Sequence, residues 1–553
     1  MAADVTGNGG SADKALIERH FSRRLQVDMV GDGVLVGMFA GLVITLYRIS
    51  LSTAERLLRS LIPLLASHTL ALLGWLCALA AMAVVIARLM QFESDTRGSG
   101  IPQIDAEVMG RIDMAWLRVM LVKFCEGVLC TVAGLSLGRE GPSVQLGGMA
   151  GKGVSRILGK ERGEEHLLVT CGAAAGMSAA FHAPLAGVLF ALEEIHREFN
   201  AALVISAMAA AAMADFVTSN LLGIQPVLHF GLVGDLPHAD YAFVLLMGVI
   251  CGLVGALHNL GMFAMQERAF GSLRERMGDG VLLIPFLLAG VAALVAPQLL
   301  CGGDAILTYL EGGQGLAVRT LVLLLLGKYL FTSICFGSGA PGGTLLPLVI
   351  MGSLLGALCG LAAIGATDVP LAYLNNFIVL GVAGMFAGSV RAPVTAVVLC
   401  FELTGSLDTL LAATAVSLVS YVTANMLKVE PFYERLLSNL LERCPVPDGV
   451  QDVEVEGRKV LHTHVVGVGS IAEGRPIEAV PWPPNTLVVT ITRSGHDVIP
   501  RGSTYLQALD ELLVIMDADL EADTELLLHG ICGGRAHHSK EGHEQDDALQ
   551  NAR

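Results

Sequence analysis

The chain has 553 residues, 53% of them hydrophobic and only 16% charged, with a mean hydropathy of +0.63. That balance excludes an ordinary soluble domain and points to a polytopic membrane protein. The formal net charge of −16, much of it in the C-terminal third, argues against a nucleic-acid partner and says little about the membrane part.

Met1 to Asp13 is polar and Gly-rich, and the following Lys14 to Arg24 stretch reads as a basic amphipathic helix. Residues 1–29 are therefore expected to be an N-terminal cytoplasmic segment, without a cleavable signal. Apolar runs follow over Gly31 to Tyr47, Leu70 to Met90, Met114 to Leu137, Leu167 to Leu192, Ala201 to Leu222 and Tyr241 to Met265. They continue over Val281 to Leu300, Leu316 to Phe336, Leu345 to Ile364, Phe377 to Phe401 and Leu410 to Met426. Several are too long, too short or too interrupted by Gly and Pro to be simple spans of about 20 residues. Broken helices are expected, and their breaks must be buried in protein or line a cavity. The eleven cysteines are scattered, mostly within these runs and with no C-x-x-C pair, so they read as small buried hydrophobes.

An internal echo runs through the apolar part. Ala175-Gly-Met177, Ala183-Pro184 and Glu193 return 209 residues later as Ala383-Gly-Met385, Ala392-Pro393 and Glu402, and Pro142 finds Pro347 at an offset of 205. Two half-repeats, about 30–235 and 236–430, each with an interrupted helix start, place a substrate at the repeat interface near the midplane.

The stretch Gly138-Arg139-Glu140-Gly141-Pro142 lies at the end of the Met114 to Leu137 run. A carboxylate at membrane depth costs several kcal/mol, which makes Glu140 a functional candidate. The glycines let the chain leave helical geometry, and Pro142 suits the first position of a new helix. Such a helix start, with its unpaired N–H groups and positive dipole end, favours an anion, and Glu140 puts a tethered one beside it. A carboxylate that only caps its own helix is the alternative on spacing alone.

After a short helix containing Tyr433, Cys444-Pro-Val-Pro-Asp-Gly449 reads as a linker (441–450). The periodicity then changes, with Leu487 to Thr492 and Leu512 to Met516 predicted as strands of a small soluble α/β domain over 451–532. Residues 533–553 read as a disordered tail, whose His537, His538 and His543 leave metal binding open beside plain solvation. No nucleophile–base or metal-ligand cluster suggests an enzyme.

Three separated motifs, Gly98-Ser99-Gly100-Ile101-Pro102, Gly138 to Pro142 and Gly343-Thr344-Leu345-Leu346-Pro347, occur in the order and approximate spacing of the CLC chloride channels and transporters. With Lys123 before the second motif and Glu193-Glu194 after it, residues 30–440 resemble that family's membrane domain. The resemblance implies an all-α inverted repeat of broken, tilted helices, forming a homodimer with one anion pathway per subunit. It implies Ser99 and Tyr433 as hydroxyl donors to a central chloride, and backbone N–H groups around Arg139 to Gly141 and Thr344 to Leu346 completing the anion sites. Glu140 resembles the external gating glutamate. Neutral dipoles suit a site that an ion must also leave. Ser99 favours chloride, since members with proline there resemble nitrate transporters.

Glu194, in Leu185-Ala-Gly-Val-Leu-Phe-Ala-Leu-Glu193-Glu194, matches the glutamate that passes protons in coupled members. Its presence favours a proton-coupled chloride antiporter over a passive gated channel, the alternative. Lys123 and Asp105 are expected to give electrostatic support, Arg139 to hold the outer vestibule, and Glu193, echoed by Glu402, to be structural. The third motif departs from the family at Leu345, where an aromatic is usual. That spares the backbone donors but leaves anion preference and coupling ratio open. Gly469-Ser470-Ile471, Gly474-Arg-Pro-Ile477, Trp482-Pro-Pro-Asn485 and Ile499 to Thr504 resemble the RCK-C (TrkA-C) domain. That implies a cytoplasmic dimerising module, either binding a small ligand such as a cyclic dinucleotide or serving as a ligand-free spacer. Chloride and protons are then substrates, no cofactor is expected, and the protein is placed in the cell's inner (plasma) membrane with both termini cytoplasmic.

Overall fold

The computed structural model describes residues 9–197, 201–223, 230–234, 236–237, 240–312, 316–366, 369–442, 459–493, 496–517 and 521–533, with backbone alone over 9–27, 201, 459–460, 496–497, 517, 521–523 and 525–526. The chain divides into two units, Met1–Pro445 and Val446–Arg553. The predicted linker core, Cys444 to Gly449, and the tail histidines lie outside the described residues.

The first unit is helical. α1 (Gly9–Ser67) merges the predicted amphipathic segment with the first apolar run into one helix. Next come α2 (Thr69–Phe92), α3 (Ile101–Val108), α4 (Trp116–Ala133), α5 (Glu140–Leu158) and α6 (Arg162–Phe181). α7 (Pro184–Phe190) runs into a π-helical turn, Ala191–His196, and is followed by α8 (Ala201–Leu222). The second half holds α9 (Tyr241–Phe263), α10 (Phe270–Met277), α11 (Leu283–Val295), α12 (Asp304–Glu311), α13 (Val318–Gly337) and α14 (Leu345–Ala366). It ends with α15 (Leu374–Ser389), α16 (Pro393–Thr404), α17 (Leu410–Met426) and α18 (Phe432–Leu441).

Among the described residues, seven helical stretches are long and apolar enough to cross a bilayer. Leu42, Leu46, Leu73, Leu257 and Leu326 stand exposed on these helices, as a lipid-facing surface requires. Cys77 and Cys125, expected to be buried, are exposed on α2 and α4, whereas Cys130, Cys171, Cys251, Cys335 and Cys400 are buried as small apolar groups.

The breaks follow one rule in both halves. The Leu167 to Leu192 run splits at His182 and the Phe377 to Phe401 run at Arg391, each a non-glycine residue with positive φ (55° and 75°). Each is followed within two residues by a proline that opens the next helix, at Pro184 and Pro393. Proline there lacks only an N–H that has no intrahelical partner. Packing repeats too. A Cβ on Gly147 of α5 would come within 2.8 Å of Gly176 Cα on α6, and one on Gly352 of α14 within 2.7 Å of the Gly381 carbonyl on α15. Small residues bring each of these helix pairs into backbone contact.

The second unit is a four-stranded antiparallel sheet in the order β1-β4-β2-β3, with β1 Lys459–Val465, β2 Leu487–Arg493, β3 His496–Val498 and β4 Glu511–Asp517. It is joined by α19 (Glu521–Cys532), and Val488, Ile491, Leu512, Val514, Met516, Leu528 and Ile531 form its core. At the edge of this core, the Arg493 guanidinium donates two hydrogen bonds to the buried Asp510 carboxylate (2.8 and 2.7 Å), and the Gln507 N–H adds a third (2.8 Å). Burial pushes the Asp510 carboxyl up, but the Arg493 bonds and the Gln507 N–H outweigh it and hold it below its ordinary value. A depressed folded-state value stabilises the domain fully above the unfolded carboxylate's titration near about 4, and this is lost as pH falls through the folded value. The hydrogen-exchange protection factors of the β2 and β4 amides in the full-length protein, corrected for the intrinsic pH dependence of exchange, should therefore fall below about pH 4. Asp510→Asn should cost about 2 kcal/mol at neutral pH and flatten that dependence.

Candidate functional site

Three helix N-termini meet at the centre of the membrane unit. Gly138 and Gly343 exchange backbone hydrogen bonds (2.6 and 2.9 Å), forming an isolated antiparallel bridge between the loops that open α5 and α14. The neighbouring Gly342 N–H donates to the Gly98 carbonyl (2.9 Å), which ties in the loop that opens α3. All three loops touch at Gly141, where a Cβ would lie 2.5 Å from the Ser99 carbonyl and 3.2 Å from Gly343 Cα. Only glycine fits there.

α5 and α14 start alike, with Glu140 and Leu345 as first residues. Pro142 is thus the third residue of α5, not the first as the spacing suggests, and Pro347 is likewise the third of α14. Proline is tolerated at either place because none of the first-turn N–H groups has an intrahelical acceptor.

Glu140 is fully buried. Its Oε2 accepts the Leu346 N–H of α14 (3.2 Å), while Oε1 is buried without a partner among the described residues. The carboxylate of one half therefore occupies the positive end of a helix from the other half, the place that favours an anion. It is not confined to capping its own helix. The Ser99 hydroxyl, beside Gly141, is also buried and unpartnered among the described residues. An unmet buried hydroxyl costs about 1–3 kcal/mol, which a bound acceptor would recover. Tyr433, at the start of α18, is buried with its ring edge-on to Phe190 at 6.1 Å. It lies within electrostatic range of both Glu140 and Glu194. Leu345 and Leu346 are buried at the start of α14.

A cleft of about 450 Å³ reaches Ser99 from one side and is lined by Arg97, Gln103, Gln266 and Arg274 among others. A second, of about 200 Å³, lies over Gly138, Arg139 and Leu346, with Tyr47, Glu55 and Asp304 on its walls. The half-buried Arg139 caps α5 at the floor of this second cleft.

The buried lysines act through the backbone. Fully buried Lys123 of α4 donates to the Thr96 and Gly98 carbonyls, both at 2.7 Å, and so positions the Ser99 loop. Sequence reasoning missed its counterpart Lys328 of α13, which donates to the Leu299 and Cys301 carbonyls (3.2 and 2.7 Å). The signal was present, because the 205-residue offset relating Pro142 to Pro347 also relates Lys123 to Lys328.

Glu193 and Glu194 diverge from the π-helical turn. Glu193 accepts the N–H groups of Val394 and Thr395 (3.3 and 2.9 Å) and the Thr395 hydroxyl (2.7 Å) at the start of α16. Reciprocally, Glu402 of α16 accepts the N–H groups of Leu185 and Ala186 (2.9 and 2.7 Å) at the start of α7. Glu194 is buried, next to Arg197, which donates to the Glu194 carbonyl and pairs with Asp105 of α3, both at 3.3 Å. Arg197 was not anticipated.

A further carboxylate group, Glu107, Asp113 and Glu165, is already bonded by Lys152 and Arg156. This network joins α3, α5 and α6.

Residues 78–425 match the model of the voltage gated chloride channel family. The chain belongs to that family. As a CLC protein it is an integral, multi-pass membrane protein rather than an enzyme, and residues 461–529 match the TrkA-C domain. It is similar to the H(+)/Cl(-) exchange transporter ClcA of Vibrio vulnificus, with 33% identity over 419 residues covering 74% of this chain and 89% of that one. The ClcA of Salmonella agona is 31% identical over 418 residues, covering 74% and 88%. A slow cyanobacterial Cl-/H+ antiporter of known crystal structure superposes with a TM-score of 0.72 at 27% identity, covering 75% of this CLC chain and 98% of that one. A eukaryotic CLC transporter shares the fold (TM-score 0.62, 21% identity, covering 75% of this chain and 74% of that one).

Proposed function

We propose that this CLC protein is a proton-coupled chloride antiporter, with Glu140 as the external gate and Glu194 as the internal proton-transfer residue. The observation that carries the reading is the Glu140 carboxylate seated on the Leu346 N–H, where a chloride ion would otherwise bind. Ionised, it competes with chloride for the start of α14; protonated, it loses its attraction for that positive end and yields the place. Chloride then binds between the N-termini of α3, α5 and α14, taking hydrogen bonds from Ser99, Tyr433 and the backbone around Gly141 and Thr344 to Leu346. Glu194 is buried in the π-helical turn beside Arg197, which donates to the Glu194 carbonyl and pairs with Asp105, so a second protonatable group is at hand for the proton. The exchange transporters and antiporters to which the chain is similar support the antiport part of this reading.

The same reading makes the protein a homodimer in the inner membrane, with both termini and the TrkA-C unit in the cytoplasm. There that unit takes a small ligand such as a cyclic dinucleotide or acts as a dimerising spacer.

The test uses purified protein in sealed vesicles. A chloride gradient should drive protons uphill, and Glu194→Gln should abolish proton movement while chloride flux persists. An unaltered protein that moves chloride but no protons would overturn antiport and leave a passive channel.

A further inference from the structure

The inverted repeat gives the Ser99 loop a counterpart. Gly98-Ser99-Gly100 before α3 corresponds to Cys301-Gly302-Gly303 before α12. Gly100 and Gly303 both take positive φ (94° and 110°) as the residue before the helix. Each loop is also held by its buried lysine, Lys123 or Lys328. The two halves differ in what the loop presents. The first offers a hydroxyl, Ser99, to the cleft on its side. The second offers glycine at that place and a carboxylate, Asp304, as the first residue of α12, in the cleft on the Arg139 side.

Asp304 stands close to the proposed gate. A Cβ on Gly302 would lie 3.9 Å from Asp304 Oδ2 and would run into the Leu346 side chain, and the Leu346 N–H holds Glu140. Glu140 keeps one carboxylate oxygen buried and unpartnered among the described residues. Asp304 forms no ion pair among the described residues, while the other carboxylate of the cleft, Glu55, is taken by Arg59 at 2.6 Å. The charged and titratable groups facing Asp304 are Tyr47, Glu55 and Arg59 of α1, Cys130 of α4, Arg139 of α5, Cys301 of its own loop, and Lys328 of α13. Lys328 Nζ is 3.3 Å from where a Cβ on Gly303 would lie. Of the other segments that pack on α12, Pro297–Leu299 carries no titratable group and α14 carries only Cys359, about four turns beyond Leu345.

We propose that Asp304 is the outer proton-exchange partner of Glu140, so that the second-half loop serves the proton where the first-half loop serves the anion. A carboxylate at the mouth of a chloride pathway works against the anion, and its benefit is to protons. When Glu140 swings into this cleft protonated, its O–H bond breaks. The proton passes, directly or through water, to an Asp304 oxygen, where a new O–H bond forms. Glu140 returns as carboxylate to the Leu346 N–H, and Asp304 releases the proton to the outer solution; the reverse sequence loads Glu140. This rests on the antiport reading above.

The test is coupled flux by the full-length protein in vesicles, comparing the unaltered chain, Asp304→Asn and Asp304→Glu under weak and strong external buffering by imidazole. Asp304→Asn should slow proton and chloride turnover together by about tenfold in weak buffer, at an unchanged coupling ratio. Concentrated imidazole should restore it as a mobile proton carrier, and Asp304→Glu should retain most of the rate. Asp304→Asn turnover that matches the unaltered protein, or a loss that imidazole does not relieve, overturns the proposal while leaving antiport standing. An unaltered protein that moves no protons overturns both.

Discussion

Replacing Glu140 by alanine should leave a protein that passes chloride down its gradient and moves no protons at all. The carboxylate sits fully buried on the first-turn amide of Leu346, so its removal vacates an anion place at the start of α14 without disturbing the backbone that makes it. The Gly138–Gly343 bridge and the Gly342 to Gly98 bond involve no side chain. The site therefore persists and is open to chloride from the Arg139 side. With no titratable group there, nothing ties an ion's passage to a proton, and proton flux should fall to that of empty vesicles. Glu140→Gln should behave likewise, because a neutral amide has no charge to compete for the helix end. Chloride binding measured by calorimetry should show one more ion bound per subunit in Glu140→Ala than in the unaltered protein. Unchanged proton coupling in Glu140→Ala would refute the assigned gate, and unchanged ion occupancy would refute the view that the carboxylate stands in an anion's place.

Much of this site can be read from the chain because helix starts announce themselves locally. Gly138 to Pro142 and Gly343 to Pro347 each carry glycines followed by proline, and the helices begin there. Hydropathy also finds α2, α8, α9, α13, α14 and α17 to within a few residues. It runs through the breaks at His182 and Arg391, because one left-handed residue and one proline redirect the chain without changing its polarity. It also divides α1, since a helix that passes from water into lipid changes composition but not backbone. The partnerships are harder to see. Lys152 meets Glu107 across 45 residues, Arg197 meets Asp105 across 92, and Leu346 meets Glu140 across 206. No local pattern encodes these distances; only the repeat offset hints at them. That offset identified Glu402 as the echo of Glu193, and the fold supplies the reason. Each glutamate satisfies the helix start that the other half leaves unpaired.

This exchange leads to a prediction that separates stability from coupling. α7 and α16 each begin with a proline and leave first-turn N–H groups for a partner, and Glu193 and Glu402 supply one at either end of the pair. Removing either carboxylate strands two amides at a helix start in a setting with little water, which should cost about 2–4 kcal/mol. Glu193→Ala also strands the Thr395 hydroxyl and should be the costlier of the two. Both variants should melt several degrees below the unaltered protein in detergent. The double variant should lose more than the sum, since one remaining clamp still holds the pair in register and none does when both are gone. Transport should not follow stability. Glu193 shares its π-helical turn with Glu194, so releasing it lets that turn shift and should lower the protons carried per chloride. Glu402 clamps the opposite end of the pair and should leave the ratio intact. Equal uncoupling by the two variants would mean that Glu194 is held by the helix pair as a whole rather than by the turn that carries both acids.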